Sequence, residues 1–549
     1  MTTSNTSADN SLKDLEKPVE DPVPVDSDDE SDDGEKLSPT KTWLLVSSLC
    51  LSTFIAALEQ TIISTAAESI SRSLNTSSLD FTWIGTAYLL PAAAATPPWG
   101  KLSDIFGRKP IIMISIIIFF IGSLIGALAI NIQMLLAGRV IQGTGGGGIL
   151  GLSATVIGDV FSPRERSKYY GLLGVTWGAA CGLGPIIGGA FCEYVTWRWC
   201  FWINLPVAGV AGGLVFFFLE VHTPRTPIIE GLLAMDWLGT ITIVAIVVCL
   251  IVFGIVTVVV YALIEWKVAK YPITPLRLFK STSNLATFGL AYIHGLVFIA
   301  DLYYLPLYFQ IVLGASPLLS GVYLLPVAVT LCLVSSLAGL YISHTGRYRP
   351  PIYFGLVMMI IGHGLYINLQ PYASWSRIIV FQIIAGFGLG PLFQAPIIAI
   401  FSLTKPADTA SAAATVFFAR DIATAMSIVF GGVIFQNRIR AYKSDIEGVV
   451  SPALAELITN GGATTVSDQI RDLPAAARSL VRDRYNTALR SEWIFYTALG
   501  GVALMMSLGI SKQLLSKEHK INKTGLDVQE ASRLEELEKE REARRTNSV

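Results

Sequence analysis

Residues 110–130 read PIIMISIIIFFIGSLIGALAI, twenty-one positions without a charged side chain. At about 1.5 Å of rise per residue such a run makes ~31 Å of apolar helix, the depth of a bilayer's hydrocarbon. Arg108 and Lys109 stand before it, and a three-residue polar break, Asn131-Ile-Gln133, follows it before the next run begins. Working outward, similar runs occupy 43–67, 81–99, 133–158, 169–191 and 199–219. A longer one spans 237–264, and then come 285–309, 318–342, 352–370, 378–401, 411–435 and 493–511. That makes thirteen apolar runs. The ten-residue alternation of a membrane barrel is absent, so the chain reads as an all-α polytopic membrane protein.

Composition agrees. Of 549 residues 52% are hydrophobic and only 15% charged, with mean hydropathy +0.56, which excludes an ordinary cytosolic enzyme. Six cysteines are too sparse for a disulfide scaffold, and with no metal-ligand spacing they read as packing residues. The net charge of −1 averages three materials: −9 in residues 1–40, +7 in 41–511 and +1 in 512–549. Scattered loop charges are not the basic face that nucleic acid requires.

The expected organisation follows from these shifts. Residues 1–40 form a disordered acidic cytoplasmic tail. A six-helix bundle spans 41–219, a linking transmembrane run with a cytoplasmic loop 220–284, and a second six-helix bundle 285–511 with a long external loop at 436–492. A charged cytoplasmic tail, 512–549, ends the chain. Lys101, Arg108, Lys109, Arg164, Arg166, Lys168, Arg347 and Arg349 fall in alternate short loops, which places both termini in the cytoplasm. Two cytoplasmic ends need an even number of crossings, whereas thirteen runs are present. The conflict sits at Trp237–Ile264: 28 residues are too long for one upright span and too short for two. One span, a re-entrant hairpin and a truncated pair all remain open readings there.

Three motifs stand at corresponding points of the first half. The loop Gly100-Lys-Leu-Ser-Asp-Ile-Phe-Gly-Arg-Lys-Pro110 combines Gly100 and Gly107 for a sharp reversal with Asp104, Arg108 and Lys109. Asp104 is placed either to cap the next helix or to pair with an arginine. Arg139 lies inside a span, in LLAGRVIQGTGGGG, where its charge demands a polar interior. Gly143, Gly145 and Gly148 there spell a dinucleotide-type pattern, but no strand precedes them and close helix packing explains them better. The fifth span, GAACGLGPIIGGAF, carries Gly178, Gly182, Gly184, Pro185, Gly188 and Gly189, with small residues for helix contact and a proline to bend the helix.

In order and position these stretches resemble the signatures of the major facilitator superfamily, the last being its antiporter pattern. AALEQTIISTAAESI (56–70) is similar to the first-span motif of the fourteen-spanner drug:proton antiporter branch, with Glu59 at the acidic position. It departs in having Glu for the usual Asp, which keeps the chemistry, and Glu68 where a proline is customary. WRWCFWINLP (197–206), MDWLGT (235–240), YYLPLYFQ (303–310), SPLLSGVYLLP (316–326) and FFARDIATA (417–425) resemble the same branch. The resemblance implies two six-helix bundles with an extra, shortened transmembrane segment between them. It also implies efflux of drugs, toxins or secondary metabolites against protons, by alternating access, with no cofactor and no metal.

Such coupling needs buried titratable groups. Glu59, Asp301 and Asp421 are the carboxylates within spans, Arg139 and Arg420 the candidate counter-charges, and Gln142, Gln394, Tyr303 and Tyr304 the hydrogen-bonding residues. Glu59 or Asp301 is expected to take the proton with Arg139 as its regulator. Arg420 and Asp421 lie about 100° apart on a helix and so face different ways. His294 reads as structural. No histidine box supports a membrane-embedded enzyme. A vacuolar transporter of basic amino acids is the closest alternative. The expected partners are a small-molecule substrate, protons and the lipid bilayer, with no nucleic acid and a monomeric state. The plasma membrane is the expected location, the vacuolar membrane the alternative. Asn75-Thr76-Ser77 is a glycosylation sequon on the expected outer side.

Overall fold

The computed structural model describes residues 38–74, 78–221, 224, 226–242, 274, 276–404, 409–460, 467–516 and 534. Asn75 and the 243–264 part of the long run lie outside the described residues. The chain divides into two compact units, Met1–Thr42 and Trp43–Val549. Of the first only 38–42 are described, and the account that follows concerns the second.

Twelve long helices appear among the described residues. The first six are α1 Pro39–Ser73, α2 Ser78–Phe106, α3 Arg108–Ala127, α4 Ile132–Val160, α5 Arg166–Tyr194 and α6 Asn204–Phe218, with a helical turn Trp199–Trp202 leading into the last. The second six are α7 Thr282–Leu307, α8 Leu325–Thr345, α9 Arg349–Tyr366, α10 Trp375–Leu403, α11 Thr409–Ala441 and α12 Ala475–Ser507. Among the described residues nine spans are long and apolar enough to cross a membrane; α2, α9 and α12 fall outside that set. On α3 and α8 the stripes Ile114–Ile117–Ile121 and Val329–Leu333–Leu337 face outward. An outer surface of this kind suits hydrocarbon, not water.

Helix ends follow local chemistry. Gly107 sits at φ 92° between α2 and α3, a conformation that side chains resist, so the loop can turn there without a linker. Asn131 caps α4 by accepting the Met134 N–H at 2.8 Å. Gly346, at φ 69°, ends α8 in the left-handed conformation. Asp236 accepts the Gly239 N–H at 2.8 Å and starts a helix over 237–242, the only described part of the long run.

Helix α1 continues unbroken through position 68 to Ser73, in keeping with Glu68 standing where a proline is customary. One expectation needs correction. The stretch 436–492 is not an open loop: α11 extends to Ala441, short helices follow at Lys443–Glu447, Pro452–Asn460 and Ser467–Arg471, and α12 begins at Ala475. Hydropathy marked only the apolar turns of helices that extend well beyond them.

Helix α4 fills the middle of the first set. A Cβ on Gly145 would lie 2.6 Å from the Ser115 carbonyl of α3, and one on Gly148 2.8 Å from the Trp99 ring of α2. The glycines therefore bring three backbones together, and no phosphate loop is involved. The two sets of six meet along α5 against α8 and along α2 against α11. At the first seam Gly171 faces Gly339; at the second a Cβ on Gly100 would already lie 3.0 Å from that of Ala414.

Candidate functional site

The first candidate centre is a buried ion pair inside the first helix set. Glu59 of α1 and Arg139 of α4 are 0% and 1% exposed, and Arg139 Nη1 donates to Glu59 Oε1. The other carboxylate oxygen accepts from Asn204 Nδ2 of α6 at 2.5 Å. Arg139 also donates to Gln142 Oε1 at 3.2 Å and to the Ile84 carbonyl of α2 at 3.1 Å, and it lies 4.9 Å over the Tyr88 ring. Gln142 in turn donates to Ser123 of α3 at 2.9 Å. Five of the six helices thus supply a partner, which is how one buried charge pair can be satisfied in a medium where an unpaired one is very unfavourable.

The same first-span motif is tied to the glycine-rich helix. Thr61 Oγ1 donates to the Ala180 carbonyl at 3.0 Å, and Thr65 Oγ1 to that of Pro185 at 3.2 Å. Gly184 and Gly188 face α1, whereas Gly178, Gly182 and Gly189 face Cys332, Ala328 and Leu318 across the seam. Pro185 lies within an unbroken α5. Its helix is therefore a wedge between Glu59's own helix and the second set.

A cavity lies where the two sets meet. It holds about 340 Å³ of atom-free space, counting its open part, and is lined by Thr53, Leu150, Tyr170, Trp177, Gln394 and Arg420 among others, from α1, α4, α5, α10 and α11. Among the described residues Arg420 is its one charged lining group. The guanidinium stands 4.7 Å from the Phe417 ring, 5.3 Å from Phe393 and 5.9 Å from Trp177. Among the described residues it makes no hydrogen bond and no ion pair. A guanidinium that lies against ring faces and makes no hydrogen bond there keeps its donors for a ligand.

The loop motif forms a third cluster. Arg108 donates to Asp104 and to Ser103, each at 2.6 Å, and to Asp159 at the end of α4 at 2.7 Å. Asp104 therefore pairs and does not cap the next helix. The Lys109 ammonium lies 5.3 Å from the Phe216 ring. At the same end Arg164 donates to the Ser343 carbonyl at 2.6 Å and to that of His344, bridging the first set to the C-terminus of α8.

Several sequence expectations come apart here. Asp301 does not meet Arg139; it lies 3.0 Å from His363 in the second set. Gln142 supports the ion pair without lining the cavity. Asp421, next to Arg420, is buried and is not a cavity-lining residue. Tyr303 is 38% exposed on the outer face, and Tyr304 is the buried one, donating to the Ile428 carbonyl at 2.9 Å. The reason is helical phase: 301, 304 and 308 share a face that 303 does not. His294 stacks on Phe298 and meets the edge of Phe393. Asn204, Trp177, His363 and Glu492 were not singled out. Each is visible in hindsight only as a polar or bulky residue in or beside an apolar run.

Twelve packed helices, an apolar exterior, and a cavity between two sets of six define a polytopic membrane transport protein. The chain belongs to the Major Facilitator Superfamily, whose family model matches residues 49–428; this is a family of transporters, not of enzymes. An MFS-type transporter of Aspergillus terreus is 74% identical, over 93% of this chain and all of that protein. The efflux pump dotC of Dothistroma septosporum is 45% identical, over 88% of this chain and 87% of its own length. Among solved structures, the proton:xylose symporter XylE aligns over 88% of this chain and 98% of its own, with a TM-score of 0.59 at 16% identity, a likeness of fold alone.

Proposed function

We propose that this chain is a proton-coupled efflux transporter of small organic molecules (drugs, toxins or secondary metabolites) that works by alternating access. The observation that carries the reading is the Glu59–Arg139 pair with its Asn204 and Gln142 partners. A proton arriving on Glu59 removes one charge of a pair that five helices hold in place. Arg139 cannot discharge in the same way. The two protonation states then favour different arrangements of α1, α4 and α6, which is the differential that coupling requires. Because α1 also grips α5, and α5 forms the seam with α8, a change at Glu59 has a packed route to the cavity between the sets.

Efflux is supported by relatives named as efflux pumps. Import of basic amino acids fits less well, since the charged group lining the cavity among the described residues is the cation Arg420. A monomer in the plasma membrane with both termini cytoplasmic completes the reading. The test is Glu59→Gln in a transporter-deficient host, with efflux of a toxin panel measured with and without an uncoupler. Proton-driven efflux should be lost while the amount of protein in the membrane is kept. Unchanged efflux removes Glu59 from the mechanism.

A further inference from the structure

Helices α7, α9 and α12 bring together buried titratable groups that neither the cavity nor the Glu59 pair uses. Asp301 Oδ1 lies 3.0 Å from His363 Nε2, off the line of a straight hydrogen bond, and both side chains are 0–1% exposed. On its other side His363 Nδ1 is 2.9 Å from the Met359 carbonyl oxygen. A carbonyl only accepts, so in the neutral ring the hydrogen belongs to Nδ1. That leaves the Nε2 lone pair facing a carboxyl oxygen. Two lone pairs 3.0 Å apart repel, so the arrangement favours one added proton on the pair, as imidazolium–carboxylate or as imidazole–carboxylic acid.

Glu492 of α12 adds a second, independent group. It is 0% exposed, and neither carboxyl oxygen has a hydrogen-bond partner among the described residues. The nearby cations turn elsewhere: Arg490 to the Leu369 carbonyl at 3.4 Å, and Arg438 to Ser491 at 3.1 Å. From α7 it is faced by Tyr304, whose hydroxyl is committed to Ile428, and on α12 by Tyr496, committed to Ser427 of α11. Tyr366 of α9 lies beside Asp301, His294 lies two turns back on α7, and Tyr308, on the same face, donates its hydroxyl to the Gln370 carbonyl at 2.7 Å. From α10 the only ionisable side chain is the exposed Arg377. An ionised carboxylate in these surroundings has no compensation, whereas the neutral acid leaves only a dipole to satisfy.

We propose that the second helix set carries a proton-binding site of its own, with one proton on the Asp301–His363 pair and another on Glu492. It does not depend on Glu59. Infrared spectra of the purified full chain in lipid nanodiscs, in H2O and D2O, read protonated carboxyl groups through their C=O stretch. Glu492→Gln should remove one carboxyl band and leave the ionised-carboxylate bands as they were, while Glu59→Gln leaves that carboxyl band in place. Loss of ionised-carboxylate intensity in Glu492→Gln, with every carboxyl band retained, overturns the proposal. Should that variant not fold, the Glu59→Gln chain carrying ¹³C-labelled glutamate answers the same question. A shifted carboxyl band from glutamate supports the site, and its absence overturns it. Neither arm measures transport, so a failed efflux test at Glu59 and a failed site at Glu492 remain separate results.

Discussion

Gly339→Ala tests whether the α5–α8 seam is a moving contact. A Cβ at 339 would lie 2.5 Å from the Ser167 carbonyl oxygen, 3.0 Å from Gly171 Cα and 3.2 Å from Gly171 N. Comfortable contacts to carbon begin near ~3.5 Å, so the helices must part by up to ~1 Å. Every atom met is α5 backbone, and no rotamer change relieves it. Overpacking of this kind costs about 1–3 kcal/mol. Since α5 and α8 belong to different helix sets, the strain is relieved by opening the seam without distorting either set. If this closed seam exists in only one of two transport states, the equilibrium between them shifts by roughly 5–150-fold. Cys332 reports the opening: it is half-buried on α8, with Sγ 3.4 Å from the Val175 carbonyl across the seam. Alkylation of the purified protein by N-ethylmaleimide, resolved by residue with mass spectrometry, should run at least about fivefold faster at Cys332. It should be unchanged at Cys200, which lies within the core of the first set. Gly432→Ala, where an added Cβ meets nothing within 4 Å, is the control. A stably folded Gly339→Ala protein with parental labelling at Cys332 refutes the reasoning.

Two further substitutions probe the other clusters. Arg108→Ala removes the guanidinium that Asp104 and Asp159 share and should destabilise the protein by about 3–5 kcal/mol; thermal unfolding of the purified protein checks this. Arg108→Lys should recover only part, because an ammonium lacks the guanidinium fork, and a parental melting curve for Arg108→Ala would show the cluster to be unimportant. Arg420→Gln removes the charged group that lines the cavity among the described residues. Binding of an aromatic carboxylate, followed by fluorescence, should weaken about tenfold while its neutral ester is unaffected, a difference of ~1.4 kcal/mol; equal loss for both would deny the guanidinium a role in choosing substrates.

The membrane fold was legible because it depends on composition along the chain. Runs such as 110–130 must be satisfied as helices in hydrocarbon wherever they pack, and the twelve runs that lie within the described residues correspond to observed helices. The motif residues were legible as chemistry: Arg139 inside an apolar span announced a buried partner. Which partner was not, since Glu59 lies 80 positions away and Asp301 was an equal candidate by sequence. The Tyr303–Tyr304 reversal shows the same limit at short range. Helical phase decides which of two adjacent tyrosines is inside, and a hydropathy run carries no phase.

The amino-acid order alone thus determined an all-helical membrane body, the sharp loop at Gly107, and the presence of costly charges within it. These are local matters of transfer energy and backbone conformation. Only the packed helices decided that Glu59 takes Arg139 and Asn204, that Asp301 takes His363, and that Glu492 takes no hydrogen-bond partner among the described residues. A buried charge is satisfied by whatever stands within about 3 Å of it, and distances between segments a hundred residues apart exist only in three dimensions.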